Sequence, residues 1–205
     1  MRLILASASP RRRELLAQAG LEFEVKPAHV NEDVRAGEDP IAYVVRLARE
    51  KAQVVFDELG NADAVVLGAD TTVVVDGQIL AKPEDAADAA RMLRMLSGRT
   101  HRVITGVAVV SPGDVDLSPG APERKILRPR VEVAAEVTGV QFATLSDEEI
   151  AAYVATGEPM DKAGAYAIQG RAGKWIPRVE GCYFNVVGLP LALVTTMLEA
   201  VGVMG

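Results

Sequence analysis

A short apolar run that passes at once into a capped helix start is what most constrains this chain. Leu3-Ile4-Leu5-Ala6 reads as a buried strand of four residues. Ser9 stands where an N-cap belongs, Pro10 at the first helical position and Gly20 just past the end. A strand feeding directly into a helix N-terminus is the opening unit of an α/β protein. The turn between them carries Ser7, Ser9, Arg11, Arg12 and Arg13. Free backbone N–H groups, the positive end of the helix dipole and fork-shaped guanidinium donors all favour an anion such as phosphate. Three cations in a first turn oppose the dipole, and a bound anion would compensate them.

The same alternation continues. Glu22 to Lys26 alternates as a second strand, and Asp39-Pro40 opens a long amphipathic helix reaching about Leu59. Val65 to Val75 is a long strand, closed by the hairpin turn Asp76-Gly77 before Gln78-Ile79-Leu80. A helix follows from about Glu84 to Leu96, ended by Gly98, and a strand from Val103 to Val110. Residues 111–130 are rich in Pro, Gly and charge and read as a flexible surface loop. Glu132 to Ala143 reads as a strand, and Ser146 with Glu149 forms a capping box for a helix to about Ala155. Residues 157–188, rich in Gly, read as several short strands and turns, and Leu189 to Val201 as a closing helix. There is no internal repeat and no inter-domain linker, so 1–205 reads as a single α/β domain.

Composition excludes some classes of function. The 205 residues carry a net charge of −6 and only 4% aromatics, which disfavours stable nucleic-acid binding and base-stacking surfaces. The lone cysteine, Cys182, cannot form an intrachain bridge and lies far in sequence from His29 and His101, so it reads as a half-buried thiol. No apolar run reaches the ~20 residues that span a bilayer, and the expectation is a soluble cytoplasmic protein without membrane attachment. Walker loops, dinucleotide fingerprints, zinc spacings and Gly-x-Ser-x-Gly elbows are absent.

The remaining chemistry lies in scattered polar residues. Asp70, in Gly68-Ala69-Asp70-Thr71, interrupts an apolar strand, where a carboxylate must be paired, metal-bound or facing a cleft. Lys51 edges the apolar stripe of the long helix, a position a snorkelling lysine also explains. Lys82-Pro83 follows the hairpin, and Lys162 taken singly reads as a surface ion-pair partner. The Gln169 amide could read a base edge or cap a turn, and His101 reads as structural. Many cations with a few carboxylates suit a polyphosphate ester and a divalent metal. Asp70 and Glu32 would be its ligands or the base, and Arg12, Lys51 and Lys82 would neutralise charge.

Read together, these segments resemble the Maf family of nucleoside triphosphate pyrophosphatases. The resemblance rests on Leu5-Ala6-Ser7-Ala8-Ser9-Pro10-Arg11-Arg12, Arg49-Glu50-Lys51-Ala52, Gly68-Ala69-Asp70-Thr71, Lys82-Pro83, Leu96-Ser97-Gly98 and Thr105-Gly106-Val107. It continues through Thr156-Gly157-Glu158-Pro159, the run from Asp161 to Gly170, and Asn185-Val186-Val187-Gly188-Leu189-Pro190. It implies a mixed, elongated, twisted sheet flanked by helices, with a cleft between two lobes, and commonly a homodimer. It implies cleavage of a nucleoside triphosphate between its α- and β-phosphates, releasing monophosphate and pyrophosphate, with Mg²⁺ or Mn²⁺. Asp70 matches the proton acceptor, and Ser7, Arg12, Glu32, Lys51 and Lys82 match active-site positions. Arg11, Thr71 and Gln169 match positions that tune the base, in the pattern of the dTTP/UTP subgroup rather than its Trp, Gln, Glu sister, so dTTP, UTP and modified pyrimidine nucleotides are the expected substrates. Ala81 departs from the Gly often found before Lys-Pro in the family. A non-enzymatic nucleotide-binding regulator of cell division or septum formation is the rival reading, and a nucleotidyltransferase the third.

Overall fold

The computed structural model describes residues 1–60, 63–113 and 129–203. The chain forms β1 (Arg2–Leu5), α1 (Pro10–Gln18), β2 (Glu24–Val25), α2 (Pro40–Glu58), β3 (Ala64–Val75) and β4 (Gln78–Leu80). It continues through α3 (Ala86–Leu96), β5 (Thr100–Ser111), β6 (Arg130–Gln141), α4 (Asp147–Val154), β7 (Arg178–Glu180), α5 (Tyr183–Val187) and α6 (Leu191–Ala200). The seven strands make one mixed sheet in the order β2-β1-β3-β5-β6-β7, with β4 hairpinned onto β3. Strands β1 and β2 are parallel to each other, as are β1 and β3, while the longer ladders β3–β5 and β5–β6 are antiparallel.

Local chemistry sets most of these boundaries. Ser9 caps α1, and Asp39 caps α2 through bonds from Ile41 and Ala42 N–H. Ser146 and Glu149 form the reciprocal capping box of α4. The β3–β4 turn places Asp76 and Gly77 at φ of 51° and 77°, as a tight hairpin requires. Ala81 is not among the residues of positive φ, so the bend before Lys82-Pro83 does not require glycine there.

The segment 157–188 departs from its sequence reading. Instead of several short strands it forms three 3₁₀ turns (Glu158–Asp161, Ala163–Ala165 and Arg171–Trp175), the three-residue β7, and α5. Glycines at positive φ, Gly157 and Gly164, bend the chain too sharply for strand pairing. Most of the 111–130 excursion, residues 114–128, lies outside the described residues.

Two features of β3 position everything that follows. Its edge away from β5 pairs with β1 at Ala64–Leu67 and with β4 at Val73–Val75, leaving residues 68–72 without a strand neighbour there among the described residues. The sheet therefore has a gap in the middle of a twelve-residue, almost wholly buried strand. Alternation of side chains then sends Gly68 and Asp70 to one face and Ala69 and Thr71 to the other. On the first face α2 lies against the sheet at two glycines. A Cβ on Gly68 would stand 2.2 Å from the Ala48 carbonyl oxygen, and one on Gly106 would stand 2.4 Å from the Val44 backbone. These notches let the helix approach closely enough for Lys51 to meet Asp70. The opposite face packs Leu15, Leu16, Val187, Leu189 and Val194 from α1, α5, α6 and the α5–α6 turn against Val65, Leu67 and Ala69.

Candidate active site

The gap in the sheet opens into a cavity of about 340 Å³. Ser7, Arg11, Arg12, Glu32, Lys51, Asp70, Thr71, Lys82 and Gln169, separated by up to 162 positions in sequence, all line it. Every site residue singled out in the sequence is thus brought to one place. Arg13 is exposed and does not line the cavity.

At the centre an ammonium bridges two carboxylates. Lys51 Nζ lies 2.7 Å from Asp70 Oδ1 and 2.5 Å from Glu32 Oε1. Lys51 and Asp70 are only 7% and 8% exposed, so Lys51 does not snorkel to solvent as its position on the helix stripe allowed. Asp70 Oδ2 has no hydrogen-bond partner among the described residues. Burial pushes the Asp70 carboxyl above its ordinary value, against the pull of Lys51 and Arg12. Burial acts the same way on Glu32, but its bond to Lys51, with the charges of Lys51, Lys82 and Arg12, holds it below the usual range. Two carboxylates sharing one cation are therefore driven in opposite directions.

Glu32 lies on the loop between β2 and α2, and residues of α2 hold that loop. Tyr43 Oη donates to the Glu32 carbonyl at 2.9 Å, and Arg46 Nη2 to the Asp33 carbonyl at 3.1 Å. Arg46 also grips Glu38 through two bonds of 2.6 and 2.8 Å. Sequence reasoning missed Tyr43, Arg46 and Glu38. The cue available was an aromatic and an arginine three residues apart, on the same side of the helix that carries Lys51.

Arg12 is more constrained than its sequence suggests. Its Nε donates to the Gly188 carbonyl at 2.8 Å, and Nη1 to the Ala69 carbonyl at 2.9 Å and to Ser7 Oγ at 3.3 Å. Its Nη2 donates to Thr71 Oγ1 at 3.0 Å. Four of the five N–H groups of this guanidinium are spent on the protein, leaving one on Nη2. Arg12 thus ties the first turn of α1 to the open edge of β3, satisfying the Ala69 carbonyl where the sheet has no neighbouring strand. Ser7 Oγ accepts from Arg12 and from the Ser9 N–H, so its own proton is free.

The other rim is looser. Lys82 and Gln169 are exposed, and neither makes a hydrogen bond or ion pair among the described residues. Arg11 reaches Asp161 at 3.5 Å. Lys162 donates to the Glu158 carbonyl at 2.7 Å and pairs with Asp161, so the ion pair is as read, but it lines the cavity rather than open surface. The turn bearing Gln169 is fastened by Glu158, which accepts from Tyr153 Oη at 2.9 Å and Arg171 N–H at 3.0 Å. Behind it, His101 is 2% exposed, bonded to Tyr166 Oη at 2.8 Å and edge-on to Phe142. His101 is structural, as its sequence position suggested.

Among the described residues no three His, Cys, Asp or Glu side chains gather to hold a metal ion. Glu32 and Asp70 nonetheless present two hard oxygen donors to one cationic centre. Such a pair fits Mg²⁺ or Mn²⁺, which take one or two carboxylates and complete their shells with phosphate and water. It offers nothing to a metal that requires thiolate or imidazole.

A gapped mixed sheet with cations and carboxylates around its opening defines an α/β protein with a charged cleft. The family model described as "Maf-like protein" matches residues 2–201. The chain belongs to the Maf family. It is 53% identical over 204 residues to a dTTP/UTP pyrophosphatase of Koribacter versatilis, covering 100% of this chain and 96% of that one. It is 52% identical over 202 residues to a dTTP/UTP pyrophosphatase of Moorella thermoacetica, covering 98% and 96%. A solved nucleoside-triphosphatase / dITP/XTP pyrophosphatase from Mycobacterium abscessus aligns over 98% of this chain and 96% of that one. Its identity is 14% and its TM-score 0.40, too distant to bear on the site. No helix among the described residues is long and apolar enough to cross a membrane.

Proposed function

We propose that this enzyme hydrolyses nucleoside triphosphates between the α- and β-phosphates, with dTTP and UTP as preferred substrates. The carrying observation is Asp70, a buried carboxylate with one oxygen on Lys51 and the other without a partner among the described residues, facing a cavity lined by cations. Curated relatives about 50% identical over the full chain bear the name dTTP/UTP pyrophosphatase.

In this reading Asp70 Oδ2 takes a proton from water as the water oxygen attacks the α-phosphorus. The bond from that phosphorus to the α–β bridging oxygen breaks, and pyrophosphate leaves with the bonding pair. Lys51 keeps Asp70 oriented, while Lys82, Ser7 Oγ–H and the remaining Arg12 N–H meet the phosphate oxygens. Arg12 acts mainly as fixed positive charge, since most of its donors are committed. Glu32 and Asp70 would hold a divalent cation, Mg²⁺ or Mn²⁺, which when bound supplies Lewis-acid stabilisation of phosphate charge. Arg11, Thr71 and Gln169 would face the base. A cytoplasmic homodimer without nucleic-acid or membrane partners completes the proposal, its oligomeric state being measurable by light scattering.

The test is a nucleotide panel with Mg²⁺, assayed for both products. Equal amounts of monophosphate and pyrophosphate from dTTP and UTP are expected. Orthophosphate alone would contradict α–β cleavage. Tight nucleotide binding without turnover would favour the septum regulator, and pyrophosphate released only with a second substrate would favour a nucleotidyltransferase.

A further inference from the structure

The cavity wall at Thr71 continues inward as a directed chain of hydrogen bonds. Arg12 Nη2 donates to Thr71 Oγ1 at 3.0 Å. Thr71 and Thr105 face each other directly across the β3–β5 ladder, with their hydroxyl oxygens 2.9 Å apart. Thr105 Oγ1 lies 3.2 Å from the Asn185 carbonyl oxygen. The Asn185 side chain is itself locked, its Nδ2 donating to the Val103 carbonyl at 3.0 Å and to Thr138 Oγ1 at 2.9 Å. Thr105 and Asn185 are fully buried, and Thr105 does not line the cavity.

The two ends and the distances favour one direction for each link. A guanidinium only donates, a carbonyl only accepts, and each hydroxyl has one proton. Thr105 spends its proton on the Asn185 carbonyl, so it accepts from Thr71. Thr71 accepts from Arg12 and spends its own proton inward on Thr105. Both terminal carbonyls already hold one other donor, Asn185 the Gly188 N–H at 3.0 Å and Gly188 the Arg12 Nε at 2.8 Å, so the shorter reach decides: 3.2 Å from Thr105 to the Asn185 carbonyl against 3.4 Å from Thr71 to the Gly188 carbonyl. Toward the cavity Thr71 retains a lone pair but no hydrogen to offer.

We propose that Thr105 is a positioning residue for base selection: by accepting the Thr71 proton it keeps Thr71 an acceptor-only group on the cavity wall. Such a wall suits a pyrimidine that presents a ring N–H, as uracil and thymine do, and not cytosine, whose corresponding ring nitrogen is an acceptor. The inference rests on the reading of Thr71 as a base-facing residue.

The experiment compares binding of dTMP and dCMP by calorimetry, and pyrophosphate release from dTTP and dCTP, in wild type, Thr105→Val, Thr105→Ser and Thr71→Val. Thr105→Val frees the Thr71 proton to turn into the cavity. The preference for thymine over cytosine should then fall about tenfold, the worth of one hydrogen bond. Thr105→Ser keeps the acceptor and should stay within about twofold of wild type, a rescue that a merely space-filling role for the threonine methyl would not give. Should Thr105→Val fail to fold, Thr71→Val carries the same expectation from the half-buried wall. An unchanged preference in Thr71→Val, a wild type that binds both bases equally, or a Thr105→Ser as impaired as Thr105→Val would overturn the proposal. A wild type that discriminates in binding but releases no pyrophosphate would leave it standing and sink the hydrolase reading instead.

Discussion

The two rims of the cleft are built by opposite means. On the rim made by α2, β3 and the start of α1, the polar groups are buried or half-buried and tied: Lys51 to two carboxylates, Arg12 to four oxygen atoms, Thr71 into the sheet. On the rim made by the hairpin exit and the 3₁₀ turns, Lys82 and Gln169 stand exposed and unpartnered among the described residues. In the proposed reading the tied rim fixes Lys51 and Asp70, with Thr71 beside them, while the open rim leaves Lys82 free to follow the phosphates and Gln169 the base. Groups that must meet a reacting phosphorus gain from being fixed before substrate arrives, because no reorganisation is then needed in the transition state. Groups that read a variable base can sit on turns, where side chains change without disturbing the core.

The largest effect that tests this contrast is expected at Lys51. Lys51→Met leaves Asp70 and Glu32 facing each other without their shared cation. Removing one partner of a buried ion pair costs about 3 kcal/mol, a fall in Tm of roughly 6–12 °C for a chain of this size. kcat should fall by about 10² or more. Activity within tenfold of wild type at an unchanged Tm would mean that the buried rim is not the chemical one.

The next concerns the support beneath the open rim. Burial pushes the His101 imidazole down to about 4, whereas an unfolded histidine titrates near 6.5. The unfolded state therefore binds the extra proton first. The stability from keeping His101 neutral is full above about pH 6.5 and is lost as pH falls toward 4, by roughly 3 kcal/mol over that span. Denaturant melts of His101→Gln, which keeps a polar partner for Tyr166 but cannot titrate, should lack that part of the slope. Identical slopes in the two proteins would remove His101 from the account.

The smallest effect is expected at Gln169. Gln169→Glu replaces a donor–acceptor amide with an acceptor-only carboxylate at an exposed position. kcat/KM for dTTP and UTP should fall about tenfold, one hydrogen bond's worth, with Tm unchanged within about 1 °C. Equal kcat/KM across all bases before and after the change would take Gln169 out of recognition.

How much of this was legible in the sequence follows the same division of local from distant causes. Ser9-Pro10, Asp39-Pro40, the Ser146/Glu149 box and Asp76-Gly77 act over two to four residues, and each marks its element boundary within a residue or two. The 157–188 segment reads as several short strands and turns, and only one strand, β7, forms, because its bends come from positive-φ glycines and from Glu158 bonds to residue 171, which leave no periodicity. Lys51 could be read as snorkelling because its partners lie 19 residues either side of it. The commitment of Arg12 was not legible at all, since it depends on carbonyls at Ala69 and Gly188, 57 and 176 residues away. Composition and spacing identified which residues carry charge; only the gap in β3 explains why they converge.

The central claim is that Asp70 Oδ2, the oxygen not bonded to Lys51, accepts the proton of the attacking water. Asp70→Asn preserves size and can still accept from Lys51, so the fold should survive while the base is lost. Pyrophosphate release from dTTP, measured beside dTTP binding, tests it directly. A kcat lowered about 10²–10⁴-fold with binding retained is the expected result; near-wild-type release by the folded variant would contradict it.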